Sequence, residues 1–344
     1  MNVLSNIALK DFTTMHMGGP AAYMTEVHTP EEVAVACKKA KAQNIPIYVL
    51  GGGSNVIAHD EGFNGLVILN RIPGIDIVSD DTVNCVVRIG AGVLWDEVVA
   101  KSVARGLTGI EALSGIPGTT GATPVQNIGA YGQEIAETIE SVEVYDTETD
   151  RFVLLRNEDC GFSYRSSIFR TSATGRYVIT ALTLHLFKTP PQPPFYKAVQ
   201  DYIDTHRTSQ ITPEVIRTIV LAIRTEKLPD PSILPNSGSF FKNAVVETWQ
   251  LDAIKARYPD VPHYEMLDGF YKIPTGWLIE QTGLRGQVLH GIKIHDKNAL
   301  VLINQSASGY ADLAAAREEI ISAVRDKFQV SISQEPLEIR PVAA

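Results

Sequence analysis

Between Glu111 and Glu134 the chain runs through 22 residues without one charged side chain, and five of them are glycine. Core segments and disordered tracts do not have this composition. Gly115, Gly118, Gly121, Gly129 and Gly132 open backbone conformations closed to other residues, so main chain can approach a bound group closely. Pro117 and Pro124 stiffen the path, while Thr119, Thr120, Thr123, Gln126 and Asn127 offer neutral donors and acceptors for a large polar ligand. A loop of this length inside a compact domain is functional or disordered. Ile116, Val125, Ile128 and Tyr131 give it apolar anchors and it lacks the charge of a disordered segment, so a ligand-binding loop is the expectation.

A second glycine cluster narrows the ligand. Ile47 to Leu50 is a short apolar, β-branched run that reads as a buried strand, and it opens directly into Gly51, Gly52, Gly53, Ser54 and Asn55. The following stretch, Val56 to Gly65, has no helical periodicity, which excludes a Walker A loop and a Rossmann fingerprint, since both need a helix next. A strand ending in a nest of exposed amides can hold a pyrophosphate, with a plain tight turn as the competing reading.

Composition then removes several classes of function. A length of 344 residues is enough for two or three domains and a large core, and 44% hydrophobic with 20% charged residues is ordinary for globular proteins. A net charge of -9 argues against a nucleic-acid-binding surface, so anionic ligands have to be met by local basic groups. Cys37, Cys85 and Cys160 are odd in number and lack metal-ligand spacing, which predicts free thiols in a reducing compartment and no metal site. No basic flank with an apolar run opens the chain and no apolar segment of membrane-spanning length occurs, so a soluble, cytoplasmic protein without membrane association is expected.

Thr29-Pro30-Glu31-Glu32 predicts a capped helix start, with a helix of about 14 residues ending near Asn44. Leu66 to Leu69 reads as a strand, Thr82 to Ile89 as another, and Leu94 to Arg105 as a helix stopped by Gly106. Ile139 to Tyr145 and Arg151 to Leu155 form a hairpin, and Tyr177 to Phe187 is a long strand. After the proline-rich break at Thr189 to Pro194, helices are expected over Pro213 to Arg224, Gln250 to Tyr258, Ile273 to Gln281 and Tyr310 to Lys327. Ala299 to Ile303 and Val330 to Ile332 read as strands.

Seven ordered blocks carry a resemblance to a known family. They are Thr13-Thr14-Met15-His16-Met17-Gly18-Gly19-Pro20-Ala21, Leu50 to Asn55, Gly115 to Tyr131, Tyr164-Arg165-Ser166-Ser167, Lys227-Leu228-Pro229-Asp230-Pro231, Asn236 to Asn243, and Gly276-Trp277-Leu278-Ile279-Glu280-Gln281. Spread over nearly the whole chain, they make it similar to the UDP-N-acetylenolpyruvoylglucosamine reductases, flavoenzymes of bacterial cell-wall precursor synthesis. The resemblance implies an α+β fold: a two-lobed FAD-binding module of the PCMH or vanillyl-alcohol-oxidase type and a smaller α+β substrate-binding domain. It places the lobes at residues 1–70 and 71–228 and the substrate domain at 229–328, with 329–344 returning to the second lobe.

The same resemblance implies the reaction and its residues. FAD would mediate NADPH-dependent reduction of the enolpyruvyl ether of UDP-N-acetylglucosamine to UDP-N-acetylmuramate by a monomeric enzyme. Cofactor contacts are implied for Leu50, Gly51, Gly52, Gly53, Ser54, Asn55, Ser114, Gly115, Ile116, Pro117, Gly118, Gly121, Ala122, Gln126, Asn127, Gly129, Ala130 and Tyr131. Arg165 would neutralise a carboxylate or enolate, and Ser239 would donate a proton with help from the nearby Lys242. Substrate contacts are implied for Tyr164, Arg224, Lys227, Asn243 and Asn298, and for Tyr196 as a capping tyrosine, while the residues alone equally allow Tyr196 as a helix-start aromatic packed on the core. Counting from Phe328 against the family's Phe-Gly-Val-x-Leu-x-Pro-Glu pattern puts the catalytic glutamate at Glu335, with Glu338 as the alternative. Asn298, His290 and Gln334 depart from the residues common in the family. Competing readings are a sugar or alcohol oxidase built on the same FAD module and a non-enzymatic flavin carrier.

Overall fold

The structure is a computed structural model that describes residues 2–208, 210–266 and 269–342. Its first sheet orders the strands Val3–Ala8, Pro20–Val27, Phe63–Asn70 and Ile47–Leu50, with Phe63–Asn70 running parallel to both of its neighbours. All but one residue of Phe63–Asn70 is buried, as a strand inside a parallel sheet covered on both faces requires. The helix Pro30–Ala42 closes the crossover. Thr29 caps it by accepting from the Glu32 amide at 3.2 Å, but the Glu32 carboxylate takes the amide of His28 at 2.6 Å, one residue before the partner a reciprocal capping box uses.

A five-stranded antiparallel sheet forms the second lobe, in the order Arg151–Arg156, Ile139–Asp146, Tyr177–Phe187, Asn84–Gly90 and Ile75–Asp80. Ile75–Asp80 has no counterpart in the sequence-based reading because five of its six residues are exposed, which erases the apolar alternation of a buried strand. The helix Trp95–Ala104 packs on this sheet through Trp95, Val98, Val99 and Val103. Tyr145 and Val178 reach from the second sheet into the cluster of helix Pro30–Ala42, so the two lobes share a core.

Two helices, Lys197–His206 and Pro213–Lys227, follow the proline-rich break; the first starts at Tyr196, its N-cap, as the helix-start reading of that residue has it, though its extent was not read from the sequence. Arg217 on the second makes a two-pronged ion pair with Asp96, at 2.6 and 2.8 Å, and Asp96 also accepts the amide of Gly115 at 2.6 Å. One carboxylate therefore ties two helices to the start of the glycine-rich loop.

The last unit contains the antiparallel sheet Asn236–Ser239, Val301–Asn304, Ile292–Ile294 and Val288–Leu289 and the smaller sheet Ala244–Glu247, Phe270–Ile273 and Tyr264–Glu265. Helices Thr248–Lys255, Thr275–Gln281 and Tyr310–Phe328 cover them. Met15, Met17 and Ile57 of the first lobe are buried in this unit's core, and the Asn304 side-chain amide donates to the Met15 carbonyl at 2.9 Å. Two expectations for the C-terminal end are corrected. Val330 to Ile332 is not a strand, and Leu337–Ile339 runs parallel to Val56–Ala58 of the first lobe instead of joining the second. The reason is packing: Ile339 is fully buried among Leu9, Ala21, Leu50 and Leu69 of the first lobe. Residues 343 and 344 lie outside the described residues. Among the described residues no helix is long and apolar enough to cross a membrane.

Candidate active site

A cavity of about 600 Å³ lies where the two lobes and the last unit meet. The strand Ile47–Leu50 delivers the Gly51–Asn55 turn to its wall, and the amides of Gly52, Gly53 and Ser54 donate to no acceptor among the described residues. Such a row of free amides suits an anion. Facing it, the glycine-rich loop is bolted to the second lobe: Trp95 donates its amide to Gly118 and its indole N–H to Leu113, both at 3.0 Å, and the amides of Thr120 and Gly121 bond Val93 and Ala91 at 2.8 Å. The two loops touch, because a Cβ on Gly52 would meet the Gly118 Cα at 2.8 Å. The Ser54 hydroxyl donates to the Pro117 carbonyl at 3.1 Å, and the Asn55 side-chain amide donates to Gln126 at 2.5 Å. Neutral donors, free amides and absent side chains make a fitting cradle for the pyrophosphate and ring of FAD.

Three segments far apart in the chain bring the expected catalytic side chains to the same cavity, which Arg165, Ser239 and Glu335 all line. Arg165 sits at φ +52° in a turn closed by two reciprocal hydrogen bonds between Ser163 and Ser166, each 3.1 Å. A non-glycine residue held there is a local strain that surrounding structure must sustain. Its guanidinium donates to the Gly129 carbonyl at 2.6 Å and lies 3.4 Å from the Glu335 carboxylate.

Ser239 is presented by a bulge. Gly238 adopts φ +72°, its amide donates to Asn236 Oδ1 at 2.8 Å, and the strand register shifts between Asn236 and Ser239. Phe240 and Phe241 anchor the exit from the bulge in the core. The Glu335 amide donates to the Phe240 carbonyl at 2.8 Å, so the residue after Ser239 also fixes Glu335.

Burial pushes the Glu335 carboxyl above the ordinary carboxylate range, opposed by the charges of Arg165, Arg170 and Lys242. Burial, reinforced by the neighbouring Arg170 and Arg165, pulls the Lys242 ammonium below its usual value. Three cations around one carboxylate leave a local positive excess in a chain of net charge -9. That excess is what a substrate with carboxylate and diphosphate groups needs. Glu338 lines the same cavity but is engaged by other partners. It accepts from His59 at 3.1 Å, Tyr310 at 3.1 Å, Arg317 at 2.8 Å and Gln334 at 3.1 Å. Burial pushes it up, but those four bonds together hold it below the ordinary range. Glu338 thus forms a joint between the first lobe and helix Tyr310–Phe328, while Glu335 faces Arg165.

Of the residues expected at the cofactor, Leu50, Gly51, Gly52, Gly53, Ser54, Asn55, Ile116, Pro117, Gly118, Gly121, Ala122, Gln126, Gly129 and Ala130 line the cavity. Four others do not line it, and each has an internal task instead. The Ser114 hydroxyl donates to the Glu111 carbonyl at 2.6 Å, and the Gly115 amide goes to Asp96. Asn127 bonds Glu134 at 2.7 Å, the Ser163 carbonyl at 3.2 Å and the Ala136 amide at 3.1 Å, which makes it the brace of the Arg165 turn. Tyr131 packs against the two-helix cluster beside Arg224.

Among the expected substrate contacts only Arg224 lines the cavity, and burial lowers its pKa. Tyr164 lies under Arg165 and Lys272 and close to Asn243, whose side-chain oxygen accepts the Thr275 amide at 3.2 Å. Tyr196 is 42% exposed at the N-terminus of helix Lys197–His206, edge-on to Tyr131 and near Tyr264. Lys227 is exposed at a helix end, and Asn298 accepts the Leu300 amide at 3.1 Å, so neither lines the cavity. Arg170 was missed: it bonds Gln126 at 3.0 Å and the Glu335 carbonyl at 2.7 Å, joining the glycine-rich loop to the C-terminal segment. Nothing in its sequence neighbourhood, Ile168-Phe169-Arg170, separates it from a surface arginine.

Residues 21–153 match the family model of the FAD binding domain, and residues 230–339 that of the UDP-N-acetylenolpyruvoylglucosamine reductase C-terminal domain. Two lobes around a glycine-lined cavity, closed by a third unit, define a flavin-dependent enzyme. Over 340 residues, 98% of this chain and 99% of the relative, the sequence is 37% identical to a UDP-N-acetylenolpyruvoylglucosamine reductase of Dechloromonas aromatica. It is 40% identical to the reductase of Alcanivorax borkumensis over 292 residues, 85% of this chain and 84% of that one. The fold is similar to the crystal structure of the Thermus caldophilus reductase, with a TM-score of 0.67, 24% identity, and coverage of 98% of this chain and 99% of that chain. The chain belongs to the UDP-N-acetylenolpyruvoylglucosamine reductase family.

Proposed function

We propose that this chain carries out the reaction its family is named for, reducing the enolpyruvyl ether of UDP-N-acetylglucosamine to UDP-N-acetylmuramate with NADPH as the hydride source. The observation that carries the reading is the convergence of Arg165, Ser239 and Glu335 on one cavity with the Gly51–Asn55 nest. Bound FAD supplies the two-electron carrier between NADPH and the enolpyruvyl group. The Gly51–Asn55 amides and the Ile116–Ala130 loop hold it.

Hydride arriving at the terminal carbon of the enolpyruvyl group drives electrons toward its carboxylate, where charge develops as an enolate. Arg165, already 3.4 Å from Glu335, meets that charge with a fixed guanidinium, and Arg170 and Lys242 add to the field. Ser239 then delivers its proton to the carbon next to the carboxylate, within the positive field that Lys242 shares with Arg165 and Arg170. The buried thiols of Cys37, Cys85 and Cys160, none of them in a disulfide, support a reducing cytoplasmic setting.

A pH dependence follows from Glu335. With its pKa raised by burial, the carboxyl keeps its proton above the ordinary carboxylate range and donates a hydrogen bond to the developing enolate oxygen. Once ionised it can only accept, and it repels the enolate. Substrate reduction in a single turnover is therefore expected to slow as pH rises through the raised pKa. Glu335→Gln, a donor that never ionises, removes that limb. Persistence of the same limb in Glu335→Gln assigns it to another group and takes Glu335 out of this role.

A further inference from the structure

Among the described residues, one buried side-chain oxygen in the cavity wall has no hydrogen-bond partner. Ser237 is 5% exposed, it lines the same cavity as Ser239 and Glu335, and its buried Oγ makes no hydrogen bond among the described residues. Its neighbours are all accounted for: Asn236 bonds the Leu234 carbonyl at 2.7 Å and the Gly238 amide at 2.8 Å, and Phe240 and Phe241 fill the core. Buried hydroxyls in folded proteins are paired in the large majority of cases, so the partner of this one is a group that enters the cavity.

We propose that the Ser237 hydroxyl is a binding contact for the flavin ring of FAD, resting on the reading that this cavity is the FAD site. Charge separates Ser237 from the anionic groups of the substrate. The anionic substrate is served by Arg165, Arg170 and Lys242, which surround Glu335. A neutral, deeply buried hydroxyl that both donates and accepts matches the polar edge of an uncharged ring that presents carbonyls and an N–H.

The test compares wild type with Ser237→Ala and Ser237→Thr by two readouts that do not depend on turnover. Flavin release from diluted holoenzyme, followed by the rise in flavin fluorescence, gives the FAD dissociation constant. Loss of one neutral hydrogen bond corresponds to a roughly 3- to 10-fold weaker constant for Ser237→Ala, with Ser237→Thr restoring it. The melting temperature of the flavin-free chain gives the second readout. Ser237→Ala removes an unpaired buried hydroxyl and raises it or leaves it unchanged, while the increment produced by added FAD shrinks. Should the alanine variant fail to fold, Ser237→Cys, a near-isosteric weak donor, takes its place with the same expected direction. An unchanged FAD constant overturns the proposal, whether or not substrate affinity changes with it. Wild-type protein that binds no FAD overturns the underlying reading instead, and the two failures are told apart by the wild-type titration alone.

Discussion

Ser239→Ala is expected to accept electrons from NADPH at the wild-type rate and to pass them to the enolpyruvyl substrate roughly 10² to 10⁴ times more slowly, the usual loss when a positioned general acid is removed. The Gly238 bulge and the Asn236 side chain set the position of Ser239, and neither needs the hydroxyl, so the alanine variant keeps the backbone that also fixes Glu335 through Phe240. Substrate affinity changes little, because the cations at Arg165, Arg170 and Lys242 remain. Anaerobic stopped-flow spectroscopy separates the two halves: bleaching by NADPH first, then recovery of flavin absorbance on adding substrate. Equal slowing of both halves, or recovery at the wild-type rate, would remove Ser239 from the proton-donor role.

Gly52→Val is expected to yield a colourless protein with a lowered melting temperature. Space for the ligand's phosphates is one reason for glycine at this position; the structure adds another. A Cβ at residue 52 would stand 2.8 Å from the Gly118 Cα, and both partners are backbone, so the nest and the glycine-rich loop have to separate. Overpacking of this kind costs about 1–3 kcal/mol. The loop is bonded to Trp95, Val93 and Ala91, so most of the shift falls on the Gly51–Asn55 turn, where the free amides lose their alignment. Absorbance of the purified variant near the flavin bands, together with a thermal melt, checks both parts. A yellow variant melting at the wild-type temperature would show that the two loops tolerate separation and that the nest is not the pyrophosphate site.

Most of the helices and the central strands were legible because their signals are local. Pro213–Lys227 and Tyr310–Phe328 have long amphipathic periods, and Thr29 and Thr212 cap their helices with a proline directly after. The strand Ile47–Leu50 and its glycine nest were legible for the same reason. The extent of helix Lys197–His206 was hidden by the prolines ahead of it and by the helix's mostly polar, charged face. The strand pairing of Leu337–Ile339 depends on a hydrophobic site in the first lobe nearly 280 residues away, which no local pattern reports.

The candidate site divides the same way. Glycines and backbone-lined segments were visible in sequence because only glycine fits close approach, and 14 of the expected cofactor residues do line the cavity. Polar side chains of the same loop were not separable: Gln126 faces the cavity while Asn127, its neighbour, turns inward to brace the Arg165 turn. The sequence count favoured Glu335 and left Glu338 as the alternative. Four donors converge on Glu338 and hold it ionised, whereas Glu335 sits with Arg165, Arg170 and Lys242 in a buried pocket, a difference made entirely by residues remote in the chain. Arg170 and Ser237 were invisible for that reason as well.

The central claim is that electrons from NADPH leave the protein on the enolpyruvyl carbon, and the most direct measurement is product formation without oxygen. Purified protein is mixed anaerobically with NADPH and UDP-N-acetylglucosamine enolpyruvate, and the mixture is followed by NADPH absorbance and by mass spectrometry of the nucleotide sugar. The account predicts NADPH consumption beyond the one equivalent that reduces the bound flavin only when the enolpyruvyl substrate is present, with one UDP-N-acetylmuramate formed per further NADPH oxidised. A flavin that is bleached by NADPH, stays reduced in the presence of that substrate and recovers only on admitting oxygen, with no lactyl ether product, would contradict it.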